Sequence, residues 1–165
     1  MANYNFKEDL IEGEEGEKVI IRDLENIGLV HVRNNKDNKY DILMEKPYTG
    51  PKNCTVLPWI KYEIKTDVYC HPLFDTGNMF IEFECRGKPS GIEVTEAKWF
   101  VTYFKHFNEA WYIKVSDLKE LIETNELPTV KNGGDAGSST KGYLIPRNKF
   151  KEYFKVRKIP KEWLS

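Results

Sequence analysis

The spacing of apolar positions changes from helical to strand-like within the first forty residues. In residues 15–27, Ile20, Leu24 and Ile27 recur at three- and four-residue intervals and Gly28 supplies a stop, which predicts a helix. LVHVRN (29–34) and YDILMEK (40–46) flank the polar turn Asn35–Asn38, the pattern of a hairpin. After a Pro/Gly-rich excursion, PYTGPKN, a strand is expected over 61–69, and its residues 61–67 alternate strictly. Tyr62, Ile64 and Thr66 fall on one face; Lys61, Glu63, Lys65 and Asp67 fall on the other. A turn with Pro72 and Asp75–Asn78 leads to a second strand over 79–86, whose charged face carries Glu82, Glu84 and Arg86.

RGKPSG breaks that strand. Thr95 then reads as the cap of a helix over 96–105 with Trp99, Phe100 and Tyr103 inward, a face that serves as core or as a dimer interface. AWYIKV (110–115) reads as a strand, and Ser116 as the start of a helix with Leu118, Leu121 and Ile122 inward. NGGDAGSST (132–140) has no core-forming residue, so a mobile loop is expected near 130–141. GYLIP and a short basic helix from Asn148 close the chain. This order predicts an α/β (α+β) fold, a mixed central sheet flanked by helices, in a single domain over 1–165.

Composition narrows the class. With 40% hydrophobic, 13% aromatic and 31% charged residues, the chain is that of a globular protein. No apolar run approaches the ~20 residues of a membrane span, and MANYNFKEDL lacks a signal-peptide core, so the expected location is the cytoplasm, or that of an infected host. Cys54, Cys70 and Cys85 form no CxxC pair, and with His71 they match no zinc module; packed thiols are expected. His31, His71 and His106 have no partner spacing for a metal or a triad, and no P-loop, GxSxG or HExxH motif is present.

The net charge of −1 conceals an asymmetry. Residues 1–25 carry a net of −5, whereas residues 141–161 carry eight bases against Glu152 alone. A basic segment of this kind fits a polyanion partner or a solvated face.

Candidate chemistry follows from the charged strand face. If the strands over 40–46 and 61–69 pair, Asp41 comes opposite the Glu63/Lys65 face, whose members stand ~6.7 Å apart and point the same way. Two carboxylates can then share a divalent cation, with Lys65 directed at whatever the cation holds. Buried unpaired charge is costly, so a purely structural sheet gains little from this arrangement.

Asp41 followed by Glu63-Ile64-Lys65 resembles the D…(D/E)xK signature of the PD-(D/E)xK nuclease superfamily, and YEIKTD with FIEFECRGKPSGI is similar to a phage-encoded subgroup of it. The resemblance implies a restriction-endonuclease-like fold and Mg²⁺- (or Mn²⁺-) dependent cleavage of DNA. Its catalytic residues would be Asp41, Glu63 and Lys65, and its metal-binding residues Glu17, Asp41, Glu63 and Ile64; Glu14 is the alternative to Glu17. Tyr40 stands where the motif name has proline. A second register uses Asp67 with Glu82 and Glu84, a glutamate replacing the lysine. Arg86, Lys88, Lys98, Lys141 and Arg147 are the candidate DNA contacts, each also readable as a surface residue. Two other readings remain: a nucleic-acid-binding module whose acids form internal salt bridges, and a viral protein-interaction domain.

Overall fold

The computed structural model describes residues 6–35, 37, 39–52, 58–131 and 139–164. Cys54 and most of the glycine loop, 132–138, lie outside the described residues. Helix α1 (Phe6–Asn26) begins nine residues before the helix expected from residue 15. Val19, Ile20 and Leu24 are buried, but Ile27 is 50% exposed. The reason is the helix end: Gly28 adopts φ 96° and the Leu29 N–H bonds back to Leu24 O at 3.1 Å, so Ile27 lies past the last turn.

Strands β1 (Val30–Asn34) and β2 (Ile42–Glu45) form the expected antiparallel hairpin, and β2 continues into antiparallel pairing with β3 (Trp59–Asp67). The single sheet of the sequence reading is two sheets. β4 (Asn78–Cys85), β5 (Lys88–Pro89), β8 (Thr129–Lys131) and β9 (Thr140–Pro146) make a four-stranded antiparallel sheet in the order β5-β4-β9-β8. The six-stranded mixed sheet has the order β1-β2-β3-β6-β7-β10, with β6 (Trp99–Phe104), β7 (Glu109–Lys114) and β10 (Lys155–Lys158). Its one parallel pair is β3 with β6.

β6 replaces the helix expected over 96–105. WFVTYF is rich in aromatic and β-branched residues and is buried on both faces, so its apolar positions follow neither a clean two-residue nor a helical period. Lying mid-sheet, it offers no surface to a second copy. The short basic helix expected from Asn148 is α3 (Arg147–Phe150), which gives way to a 3₁₀ turn and then to β10, which pairs with β7. Helix α2 (Val115–Thr124) forms as the pattern predicts, with Leu118 and Leu121 buried.

The two faces of the mixed sheet carry separate cores. α1 covers Ile42, Met44, Tyr62, Ile64, Val101 and Tyr103 on one face. The second sheet and α2 cover Leu43, Phe100, Phe104, Trp111 and Ile113 on the other, through Met79, Ile81, Ile145 and Leu118. A polar network fastens α1 to the far strands: Asp23 accepts from the Tyr112 hydroxyl at 2.7 Å and pairs with Arg157 at 2.7 Å. Among the described residues no helix is long and apolar enough to cross a membrane.

Candidate active site

The site arises because β2 is shorter than β3. Pairing with β2 reaches Tyr62, whose carbonyl accepts the Asp41 N–H at 2.9 Å, and stops there. Backbone polar groups of a strand alternate sides, so the Ile64 N–H and C=O face the edge that β2 has vacated. The Asp41 carboxylate takes the place of the missing strand and accepts the Ile64 N–H at 2.6 Å. Asp41, the residue immediately before β2, is thus locked onto the backbone of β3.

Glu63 is 6% exposed on the face of β3 opposite α1. Its Oε1 receives Lys65 Nζ at 3.1 Å, and its Oε2 lies 3.3 Å from the Thr95 hydroxyl. That hydroxyl has a second acceptor within reach, Lys39 O at 3.1 Å, and itself accepts the Ala97 N–H at 3.2 Å. Glu17 enters from α1. Gly16 allows the helix to approach β3 closely, since a Cβ there would collide with the Thr66 side chain. The Asn34 amide at the end of β1 then donates to Glu17 Oε2 at 2.8 Å.

The acids feel one another. Burial raises the Glu63 carboxyl above the usual range; Lys65 opposes the rise and Asp41 adds to it. Burial likewise raises Glu17, with Asp41 adding to it and the Asn34 hydrogen bond opposing. For Lys65, burial acts to lower the ammonium's pKa, but Glu63, Asp41 and Glu82 outweigh it and the net shift is upward. With 46% of its side chain exposed, the field of these carboxylates rather than desolvation governs Lys65, and it stays protonated.

The remaining predicted residues divide. Glu82, from the second sheet, faces Lys65 closely enough to act on its charge. Asp67 does not join the cleft, because it accepts the N–H groups of Tyr69 and Cys70 at 2.8 and 3.0 Å and so caps the turn after β3. Glu84 pairs with Lys141 at 2.5 Å across β4 and β9. The second acidic register is therefore not assembled as a unit. Arg147, expected at a phosphate, is buried over the Phe104 and Phe107 rings and bonded to Asp75 and Asn78 O. Arg86 and Lys88 are exposed at the tight β4–β5 hairpin, and Lys98 is exposed at the entry to β6.

The basic C-terminal segment is partly consumed by the fold: Arg157 pairs with Asp23 and Lys158 with Glu109. Sequence reasoning missed Asn34 as the orienting partner of Glu17, and it took Thr95 for a helix cap. The only available signal was a hydrogen-bonding side chain at the end of an element.

The donor set suits a hard divalent cation: every candidate ligand is an oxygen, and one or two carboxylates suffice for Mg²⁺. As placed, no group of three or more His, Cys, Asp or Glu side chains among the described residues could hold a metal ion, because Glu63 is turned to Lys65 and Thr95 and Asp41 to Ile64. Beyond burial, the Asp41 charge raises both the Glu17 and the Glu63 carboxyls.

A stability consequence follows. A carboxyl whose folded pKa lies above its unfolded value contributes stability at low pH that is lost as pH rises through the folded pKa. Glu17→Gln keeps an acceptor for Asn34 and removes the charge, so in metal-free protein it is expected to raise Tm near neutral pH and to lose that advantage in mild acid. Thermal denaturation across pH checks this. Parallel curves for the two proteins would mean that ionised Glu17 carries no strain.

No family model, curated protein or solved structure matches this chain.

Proposed function

We propose that the protein is a metal-dependent endodeoxyribonuclease of PD-(D/E)xK type, hydrolysing DNA phosphodiester bonds in recombination, repair, packaging or degradation. The observation that carries this reading is that Asp41, at the edge of β3 that β2 leaves open, lies close enough to the Glu63–Lys65 pair on the adjoining face to act on both charges. Asp41 and Glu63 would hold Mg²⁺ or Mn²⁺ with Glu17 and the Ile64 carbonyl. When bound, such an ion lowers the pKa of a coordinated water and neutralises charge on the phosphate.

The chain's own residues supply the rest. Lys65, held protonated by its carboxylate neighbours, moves from Glu63 to a phosphate oxygen or to the attacking water, and its half-exposed side chain leaves room for that movement. Thr95 and Asn34 fix the rotamers of Glu63 and Glu17. The burial of Glu63 strengthens its pairing with Lys65.

The test is incubation of supercoiled and linear DNA with Mg²⁺, Mn²⁺ or chelator. Nicking that requires the cation and disappears in Glu63→Ala supports the reading. Cleavage by Glu63→Ala at the parent rate would overturn it.

One observation favours a second reading, a non-catalytic nucleic-acid-binding module. Glu63 and Glu84 both make internal ion pairs, with Lys65 and Lys141. Mg²⁺-indifferent DNA binding without cleavage would select it.

A further inference from the structure

The face of β3 that carries Glu63 and Lys65 continues outward to Lys61 and Trp59, because all four residues share the two-residue period. Trp59 is 61% exposed, a large aromatic surface for a residue in a sheet. Beside it runs a groove of about 500 Å³ lined by Arg33, Tyr40, Lys61, Glu96 and Lys98, among others. Its cations outnumber its single acid. Arg33 donates to the Tyr40 hydroxyl at 3.1 Å, and Lys61 sits 4.9 Å from the centre of the Tyr40 ring. Glu96 is shared between Lys39 and Lys61, at 3.1 and 3.4 Å. No ion pair among the described residues engages Lys98.

We propose that this groove is a single-stranded nucleic-acid track leading into the active site: Trp59 stacks an unpaired base, and Lys61, Lys98 and Arg33 hold the phosphates. An exposed indole among cations matches single-strand binding, in which aromatic platforms take bases of any identity and a positive groove follows the backbone. In duplex DNA the bases are already stacked on one another and offer no free face. A protein partner is disfavoured by the charge of the groove, since protein interface centres are depleted of lysine. Four steps along the strand lead from Trp59 to Glu63, about 13 Å, so the stacked base lies a few nucleotides from the phosphate at the carboxylates. The substrate class that follows is a single strand, or a duplex with an unpaired segment beside the cut.

This inference takes the position of the cut from the nuclease reading, but its test needs no metal. Protein in chelator is titrated into a fluorescein-labelled single-stranded DNA oligonucleotide and into its duplex, and anisotropy is read. Tighter binding of the single strand is expected, with a loss of about tenfold or more in Trp59→Ala and near-parent affinity in Trp59→Phe. Lys98→Ala should reduce the slope of log K against log salt by about 0.7. Both substituted side chains are exposed, so the fold is not at issue.

Equal affinity for Trp59→Ala and parent overturns the track. So does preference for the duplex, or self-association through Trp59 in sedimentation without oligonucleotide binding. The two readings fail separately. Single-strand binding that depends on Trp59, with no cleavage in any divalent cation, leaves the track and removes the nuclease. Cleavage with binding indifferent to Trp59 does the reverse.

Discussion

Asp41→Asn and Lys65→Ala are each expected to lower metal-dependent DNA cleavage by at least about 10²–10³-fold while leaving the fold intact. The asparagine is the informative choice. Its amide oxygen still accepts the Ile64 N–H that Asp41 Oδ2 accepts now, so the junction of β2 and β3 keeps its hydrogen bond. What is lost is the negative charge that acts on Glu17, Glu63 and Lys65 together. Lys65→Ala removes a half-exposed side chain but leaves the buried Glu63 carboxylate without its ion pair, so a measurable loss of stability is expected without loss of the fold. Glu14→Ala serves as the control and should cut at close to the parent rate, since Glu14 reaches the site only as a weak contribution to the field at Glu17. Single-turnover rates with circular dichroism on the same samples decide the matter. Parent-like rates in both Asp41→Asn and Lys65→Ala would remove these residues from any catalytic role.

The largest effect on stability is expected at Asp23, far from the cleft. Its carboxylate is 2% exposed and joins Tyr112 on β7 to Arg157 on β10 beneath α1. Asp23→Ala leaves the Arg157 guanidinium without its counter-charge and the Tyr112 hydroxyl without its acceptor. Breaking a buried pair from one side costs about 3–5 kcal/mol, and the partial exposure of Arg157 points to the lower end. Against a total of about 5–15 kcal/mol this is a large fraction. Tyr112→Phe removes a single hydrogen bond and should cost about 1 kcal/mol. Burial raises the Tyr112 phenol far above its ordinary pKa, and Asp23 adds to the rise, so it remains a donor throughout the accessible range. Urea denaturation measures both variants, and an unchanged midpoint for Asp23→Ala would rule out the network as a source of stability.

What the sequence made legible was local. The hairpin, β3 and α2 each announce themselves by a single period on one half-buried face, and Glu63 and Lys65 were singled out because that period puts them on one side of β3, with Asp41 added on the supposition that the neighbouring strand pairs alongside. β6 was misread because a strand buried on both sides has no polar face to reveal its period. The strand that carries Glu82 and Glu84 was expected in the same mixed sheet, whereas β4 pairs with β9, more than fifty residues away; no local pattern encodes that choice. Arg147 looked like a free cation because sequence does not show that Asp75 and two phenylalanines close around it. Thr95 was singled out for the right chemistry, a hydroxyl near the start of an element, and assigned the wrong recipient.

The early end of β2 has one more effect. From Ile64 to Asp67, β3 runs on with no strand among the described residues beside it on that side, an open edge of the kind through which sheets of separate molecules join. Glu63, Lys65 and the Asp41 carboxylate over the Ile64 N–H keep that edge charged and partly covered, so the groups proposed to cut DNA also guard the protein against adding a foreign strand. Neutralising them together should therefore increase concentration-dependent self-association, independently of any change in catalysis.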